Sequence, residues 1–208
     1  MKHTLKITLL LALIFFVSQV VGLAITNKYI DHKATAVAGK ITWQALPYNL
    51  ERPPVNESTS YIWIISSILI GTFLLYLLIR FRKINLWKLW FFLAVLLTLG
   101  VAFSAFLPQL IAIILALIFA VFKVYKPNLI MQNITEIFVY GGLAAIFVPV
   151  INIFAAFMLL LLISIYDVIA VFKTKHMISI AKFQSKTKAF AGLLIPYEKI
   201  KNYGKIKK

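Results

Sequence analysis

The stretch ISIYDVIAVFKTKH, residues 163–176, places an aspartate inside a long apolar run. From Ile153 to Phe172 the run is interrupted only by Ser164, Tyr166 and Asp167, and Lys173 ends it. An apolar run of about 20 residues is long enough to cross a bilayer as a helix. An aspartate near the centre of such a helix costs about 2.5–3.5 kcal/mol on insertion scales, so it marks a packed interior, a pathway or a reaction. Asp167 stands six residues before Lys173. At about 1.5 Å per residue, that is about 9 Å inside the basic end of its helix.

The rest of the chain reads in the same way. Hydrophobic residues make up 62% of its 208 residues, and the mean hydropathy is +0.94. Values this far above those of soluble domains indicate an integral, multi-pass membrane protein. Six segments read as spans: Leu5 to Ile25, Tyr61 to Ile79, Leu86 to Phe106, Gln109 to Val124, Leu129 to Phe147 and Ile151 to Phe172. The fourth is short. Pro108 and Pro149 fall between spans, where they read as tight turns rather than helix interior. The expected fold is an all-α polytopic helix bundle. Residues 1–175 form its transmembrane domain, with a polar loop over 26–60, and residues 176–208 form a basic tail or loop.

A net charge of +16 in a soluble protein would point to nucleic acid. Here the basic residues lie between apolar segments, so no nucleic-acid partner is inferred. Arg80, Arg82, Lys83 and Lys88 flank the connection between spans two and three, and Lys123 and Lys126 lie between four and five. More follow span six, from Lys173 onward. Cytoplasmic loops are enriched in Lys and Arg, which predicts that both termini are cytoplasmic and that loop 26–60 is external. A lysine-rich tail also suits an anionic lipid surface.

With no cysteine, the chain has no disulfide, thiol nucleophile or cysteine metal site. His3, His32 and His176 are scattered without metal-ligand spacing, so neither a metal nor an organic cofactor is expected. Only two of the six acids fall within spans, Glu136 and Asp167. Glu136 has Gln132 at i−4, Asn133 at i−3 and Tyr140 at i+4, a polar stripe at helical spacing. Ser164 and Ala170 flank Asp167 at i−3 and i+3, and small residues let helices approach closely. This face is expected to pack against protein, with Tyr166 lining the same site. Spans five and six are joined by a short turn and are expected to be antiparallel neighbours, which would bring Glu136 and Asp167 to similar depths. A buried carboxyl can also be simply structural, kept neutral and hydrogen-bonded.

The residues YDVIAVF, Tyr166 to Phe172, and the following KTKHMISIAKFQSKTKAFAGLLIPYE resemble the sixth span and the segment after it in presenilins and signal peptide peptidases, above all the archaeal presenilin-like proteases. The resemblance covers essentially the whole chain. It implies an intramembrane aspartic endopeptidase that cleaves transmembrane helices, with Asp167 as one of two catalytic aspartates and Tyr166 shaping the site. In that family the second aspartate lies in a GxGD motif on span seven and a PAL motif lies on span nine. These 208 residues contain neither motif. The resemblance therefore implies the amino-terminal six-span part: a fragment, one half of a split enzyme or an inactive remnant, whose partner would be the missing carboxy-terminal half. Two other readings stay open at this point. One is a proton-coupled transporter or channel subunit with Glu136 and Asp167 as its relay, and the other is an inactive membrane scaffold.

Overall fold

The computed structural model describes residues 5–195. The elements are α1 (Leu5–Lys28), α2 (His32–Ala38), α3 (Ser60–Arg80), α4 (Ile84–Ser104), α5 (Gln109–Tyr125), α6 (Leu129–Phe147), α7 (Ile153–Val168), a π-helical turn (Ile169–Lys173) and α8 (His176–Thr187). No sheet forms among the described residues, where a single antiparallel bridge joins Ile30 to Trp43. Five helices are long and apolar enough to span a membrane, and α5 is a shorter apolar helix. The chain is thus an all-α, integral, multi-pass membrane bundle of about six spans.

Both prolines sit at helix ends. Pro108 is the N-cap of α5. Pro149 lies in a 3₁₀ turn (Val148–Val150) between α6 and α7, and Asn152 then caps α7 by accepting from Ala155 N. Such side-chain caps satisfy the unpaired amides that begin a helix.

Helix α4 is the axis of the bundle, packed against α5 and α6, while α1 packs on α6. Without a hydrophobic driving force between helices in lipid, close approach depends on small residues. Ala112, Ala116 and Ala120 form a fully buried i, i+4 stripe on α5. This stripe explains how a short helix keeps a tight interface. Gly142 of α6 lies so close to α4 that a Cβ there would collide with the Thr98 backbone. Gly22 of α1 and Gly141 of α6 also face one another, at ordinary van der Waals distance, with the backbone of one within 3.9 Å of a Cβ built on the other.

The loop between α1 and α3 is tied onto the bundle. Asp31 caps α2 through the Lys33 and Ala34 amides, and Gly39 ends it in the left-handed conformation. Tyr29 donates to Val101 O at 2.7 Å, and Tyr48 Oη lies 3.0 Å from Ser104 Oγ. Burial pushes the Tyr29 phenol up to about 12, with the nearby Tyr48 adding to the effect and Arg52 opposing it.

Two expectations need correction. Helix α7 packs against α3 and makes no extended interface with α6, although a short turn joins α6 to α7. Sequence adjacency therefore does not bring Glu136 and Asp167 onto facing helices. The face carrying Asp167 is also not packed throughout: Ala170 is fully buried, but Ser164 is exposed and bonds back to Leu160 O. Ser164 stays exposed because the α3 contact covers only part of α7.

Beyond α7 the chain folds back on the bundle. Helix α8 packs on α3 and on the π-helical turn. Its Ile180 joins the core cluster around α4 and α5, and Phe183 lies 6.3 Å from Trp87, ring centre to ring centre. His3 and the last lysines of the basic tail lie outside the described residues.

Candidate functional site at the end of α7

Asp167 occupies the last turn of α7 and is partly exposed, immediately before the helix widens into the π-helical turn Ile169–Lys173. π-helical insertions are rare and recur at functional sites. Among the described residues, nothing donates a hydrogen bond or an ion pair to the Asp167 carboxylate. Tyr166 is held from beyond the π turn: its Oη lies 3.0 Å from His176 Nε2, and the two rings are 5.9 Å apart. His176 Nδ1 in turn lies 2.6 Å from Thr174 Oγ1. Thr174 also donates to Ile169 O and Ala170 O, which ties this chain of contacts to the π turn itself. Lys175 adopts a left-handed conformation (φ 56°) at the start of α8, and this reversal brings His176 back over Tyr166.

In the sequence His176 is only one of three scattered histidines. Its role here rests on the reversal at Lys175, which no periodicity announces. The one available signal was its place in the KTKH run directly after the span.

Glu136 belongs to a different cluster. Its Oε1 accepts from Lys123 Nζ at 2.6 Å, from Gln132 Nε2 at 3.1 Å and from the Gly192 amide at 2.9 Å. Lys123 and Glu136 are each 1% exposed. Lys123 also donates to Thr135 Oγ1 at 3.3 Å. This corrects the reading of Lys123 as a connection residue: it lies inside α5 and points into the bundle. A lysine near a helix end can equally serve as a loop charge or as a buried partner, and only the packing of α5 beside α6 decides. Glu136 Oε2 is buried with no hydrogen-bond partner among the described residues.

The structure thus joins Tyr166 to His176 and Glu136 to Lys123, and it leaves Asp167 apart from Glu136. Among the described residues there is no group of three or more His, Cys, Asp or Glu side chains suited to a metal ion.

Fold and site together define a multi-pass helical membrane protein with a carboxyl group on a loosely covered span. Residues 14–205 match the family described as signal-peptide peptidase, presenilin aspartyl protease. The chain belongs to that family. Comparison with curated proteins and with solved structures gave no match.

Proposed function

We propose that this chain carries the first catalytic aspartate of an intramembrane aspartic endopeptidase, and that this residue is Asp167. The observation that supports the reading best is the environment of Asp167. It is a partly exposed carboxyl within a membrane-spanning helix, free of ion pairs among the described residues and bordered by a π-helical turn, in a chain of this family. A carboxyl left unpaired within a span is costly, and residues kept at such a cost mark functional sites.

Aspartic proteolysis uses two carboxyl groups that share one proton, because like charges a few ångströms apart cannot both ionise. One carboxylate removes a proton from water, and the resulting nucleophile attacks the scissile carbonyl carbon. The other carboxylic acid protonates the carbonyl oxygen, which gives a gem-diol. The carboxyl that took the proton from water then passes it to the amide nitrogen as the C–N bond breaks, and the amine leaves while the diol becomes the new carboxylic acid. The chain contains two aspartates, Asp31 and Asp167, and Asp31 is engaged as the α2 cap. Glu136 is already held by Lys123, Gln132 and Gly192. The second catalytic carboxyl then comes from a GxGD-bearing span, accompanied by a PAL-bearing span, that closes over the free side of α7. The substrate is a transmembrane helix, unwound locally so that water reaches one peptide bond. Tyr166, steadied by His176, shapes the wall beside Asp167. Both termini lie on the cytoplasmic side, and no cofactor takes part.

The relay reading, with Glu136 and Asp167 passing protons in a transporter or channel, fits less well. Its two carboxyls lie on helices that share no extended interface, and one of them is locked in an ion pair. The test is reconstitution of the chain with spans carrying GxGD and PAL, followed by cleavage of a single-span reporter. Activity that requires both parts and disappears with Asp167→Asn supports the proposal.

A further inference from the structure

The polar stripe on α6 grips an extended piece of backbone. Residues 188–195 leave α8 without regular structure and run alongside α6. Gln132 Nε2 shares its two hydrogens among Phe190 O at 2.8 Å, Gly192 O at 3.0 Å and Glu136 Oε1 at 3.1 Å. Asn133 binds Leu194 through both ends of its amide, donating to Leu194 O at 2.8 Å and accepting from Leu194 N at 2.8 Å. Glu136 Oε1 accepts from the Gly192 amide at 2.9 Å. Every contact with residues 190–194 is to backbone, so the stripe recognises an extended chain and not particular side chains. The exception is Gly192, whose φ of +142° suits glycine, and where a Cβ would come within 2.7 Å of the Phe190 ring.

Each half of this arrangement satisfies the other. Irregular backbone in a membrane protein persists only where its amides and carbonyls find partners. Gln132, Asn133 and Glu136 would equally be costly with nothing bound to them. Lys123 completes the set by fixing Glu136 from α5. Where the segment meets the start of α6 lies a cavity of about 290 Å³ lined by Asn128, Leu129, Gln132, Lys188, Phe190 and Leu194, among others. Hydrogen bonds, more than close packing, therefore hold this side.

We propose that residues 190–194 are a latch that α6 holds and Lys123 keys, and that the latch positions the end of α7. Helix α7 rests on α3 alone among the long helices, with no interface to α4, α5 or α6 comparable to the α3 contact. Its carboxy-terminal end connects to the core through the π turn, then α8, then the latched strand. Closing the strand on α6 pins α8 against Trp87 and the π turn, and so fixes where Val168 and Asp167 stand relative to α5 and α6. The consequence for catalysis rests on the assignment of Asp167 above. The latch itself does not.

Hydrogen exchange on the whole chain in lipid nanodiscs tests the latch without any activity. Asn133→Leu removes both hydrogen bonds to Leu194 from the α6 side, and Gly192→Val disturbs the segment itself while leaving α6 intact. Each variant is expected to speed amide exchange over 190–194 by about tenfold, with the amides of α4 and α5 unchanged. Unchanged exchange over 190–194 in Gly192→Val would overturn the latch. Spin labels at Val168→Cys and Ile118→Cys, both at exposed positions, then read the separation of α7 and α5. The distance distribution is expected to be narrow in the parent chain and broad in Gly192→Val. Faster exchange with an unchanged distance distribution would overturn the positioning role.

Discussion

Lys123 Nζ lies 2.6 Å from Glu136 Oε1, and the pair joins α5 to α6 from within the bundle. Two charges taken out of the solvent stabilise a fold only when each keeps its partner, and removing one commonly costs about 3–5 kcal/mol. Lys123→Met is therefore expected to destabilise the bundle by an amount in that range. Lys123→Met combined with Glu136→Leu is expected to recover part of the loss, because no orphaned charge remains. Unfolding in mixed micelles measures both. A double variant less stable than Lys123→Met alone would contradict the account.

Close helix approach gives a second expectation. Gly142→Ala drives a methyl group into the Thr98 backbone, and neither backbone can yield cheaply. A loss of about 1–3 kcal/mol is expected, as for other overpacked cores. Gly71 on α3 has no atom near the position of a Cβ. Gly71→Ala should therefore be neutral or stabilise by up to about 1 kcal/mol through helix propensity. The same unfolding assay compares the two, and equal effects would argue against the α4–α6 contact as described.

The loop bound to the bundle by Tyr29 should fail at high pH. Its phenol is raised from 10.0 to about 12 in the folded state, mainly by burial. A raised value means that the native state keeps the proton longer than the unfolded chain does. The stabilisation is complete below about pH 10 and is lost as pH rises toward 12. Tyr29→Phe removes the titrating group and the bond to Val101, so it should lower stability at pH 8 and flatten the profile between pH 10 and 12. A parent and variant with parallel profiles would remove Tyr29 from the account.

Much of the fold was legible because the span signal is long and redundant. Pro108 and Pro149 marked true helix ends, and the polar stripe of α6 was visible from spacing alone. What the sequence concealed was partnership. The short turn after Phe147 suggested that α6 and α7 pack together, yet α7 lies on α3, since lipid solvates an apolar helix face as well as a neighbouring helix does. Lys123 looked like a loop charge because its side chain sits near a helix end, where either fate is possible. The contacts of Gln132 and Asn133 were hidden for another reason: their partners are backbone groups some sixty residues later, and backbone carries no sequence pattern. At the candidate site, YD and its position at a basic helix end were readable, but the reach of His176 to Tyr166 depended on the left-handed turn at Lys175.

The proposed orientation has a simple test, since the chain has no native cysteine. Ser58 and Ser185 are both exposed, on the loop before α3 and on α8. In intact cells Ser58→Cys should react with an impermeant thiol reagent, and Ser185→Cys should not. The reverse pattern would invert the topology.

Tyr166 and Asp167 should separate in kinetics. Tyr166→Phe loses only the hydroxyl that meets His176, so reconstituted cleavage should fall by about tenfold while remaining measurable. His176→Ala should lower cleavage in the parent but add little in the Tyr166→Phe background, because the two residues act through one bond. Fully additive losses would show that His176 acts elsewhere.

The most direct measurement is cleavage of a single-span reporter in reconstituted bilayers, with the chain supplied together with spans bearing GxGD and PAL. The account predicts cleavage by the combined protein, none by this chain alone, and none after Asp167→Asn with assembly intact. Glu136→Gln should lower the activity without abolishing it, because it weakens the Lys123 pair and the latch but removes no group that takes part in the chemistry. Cleavage that survives Asp167→Asn would contradict the assignment of Asp167 as a catalytic residue.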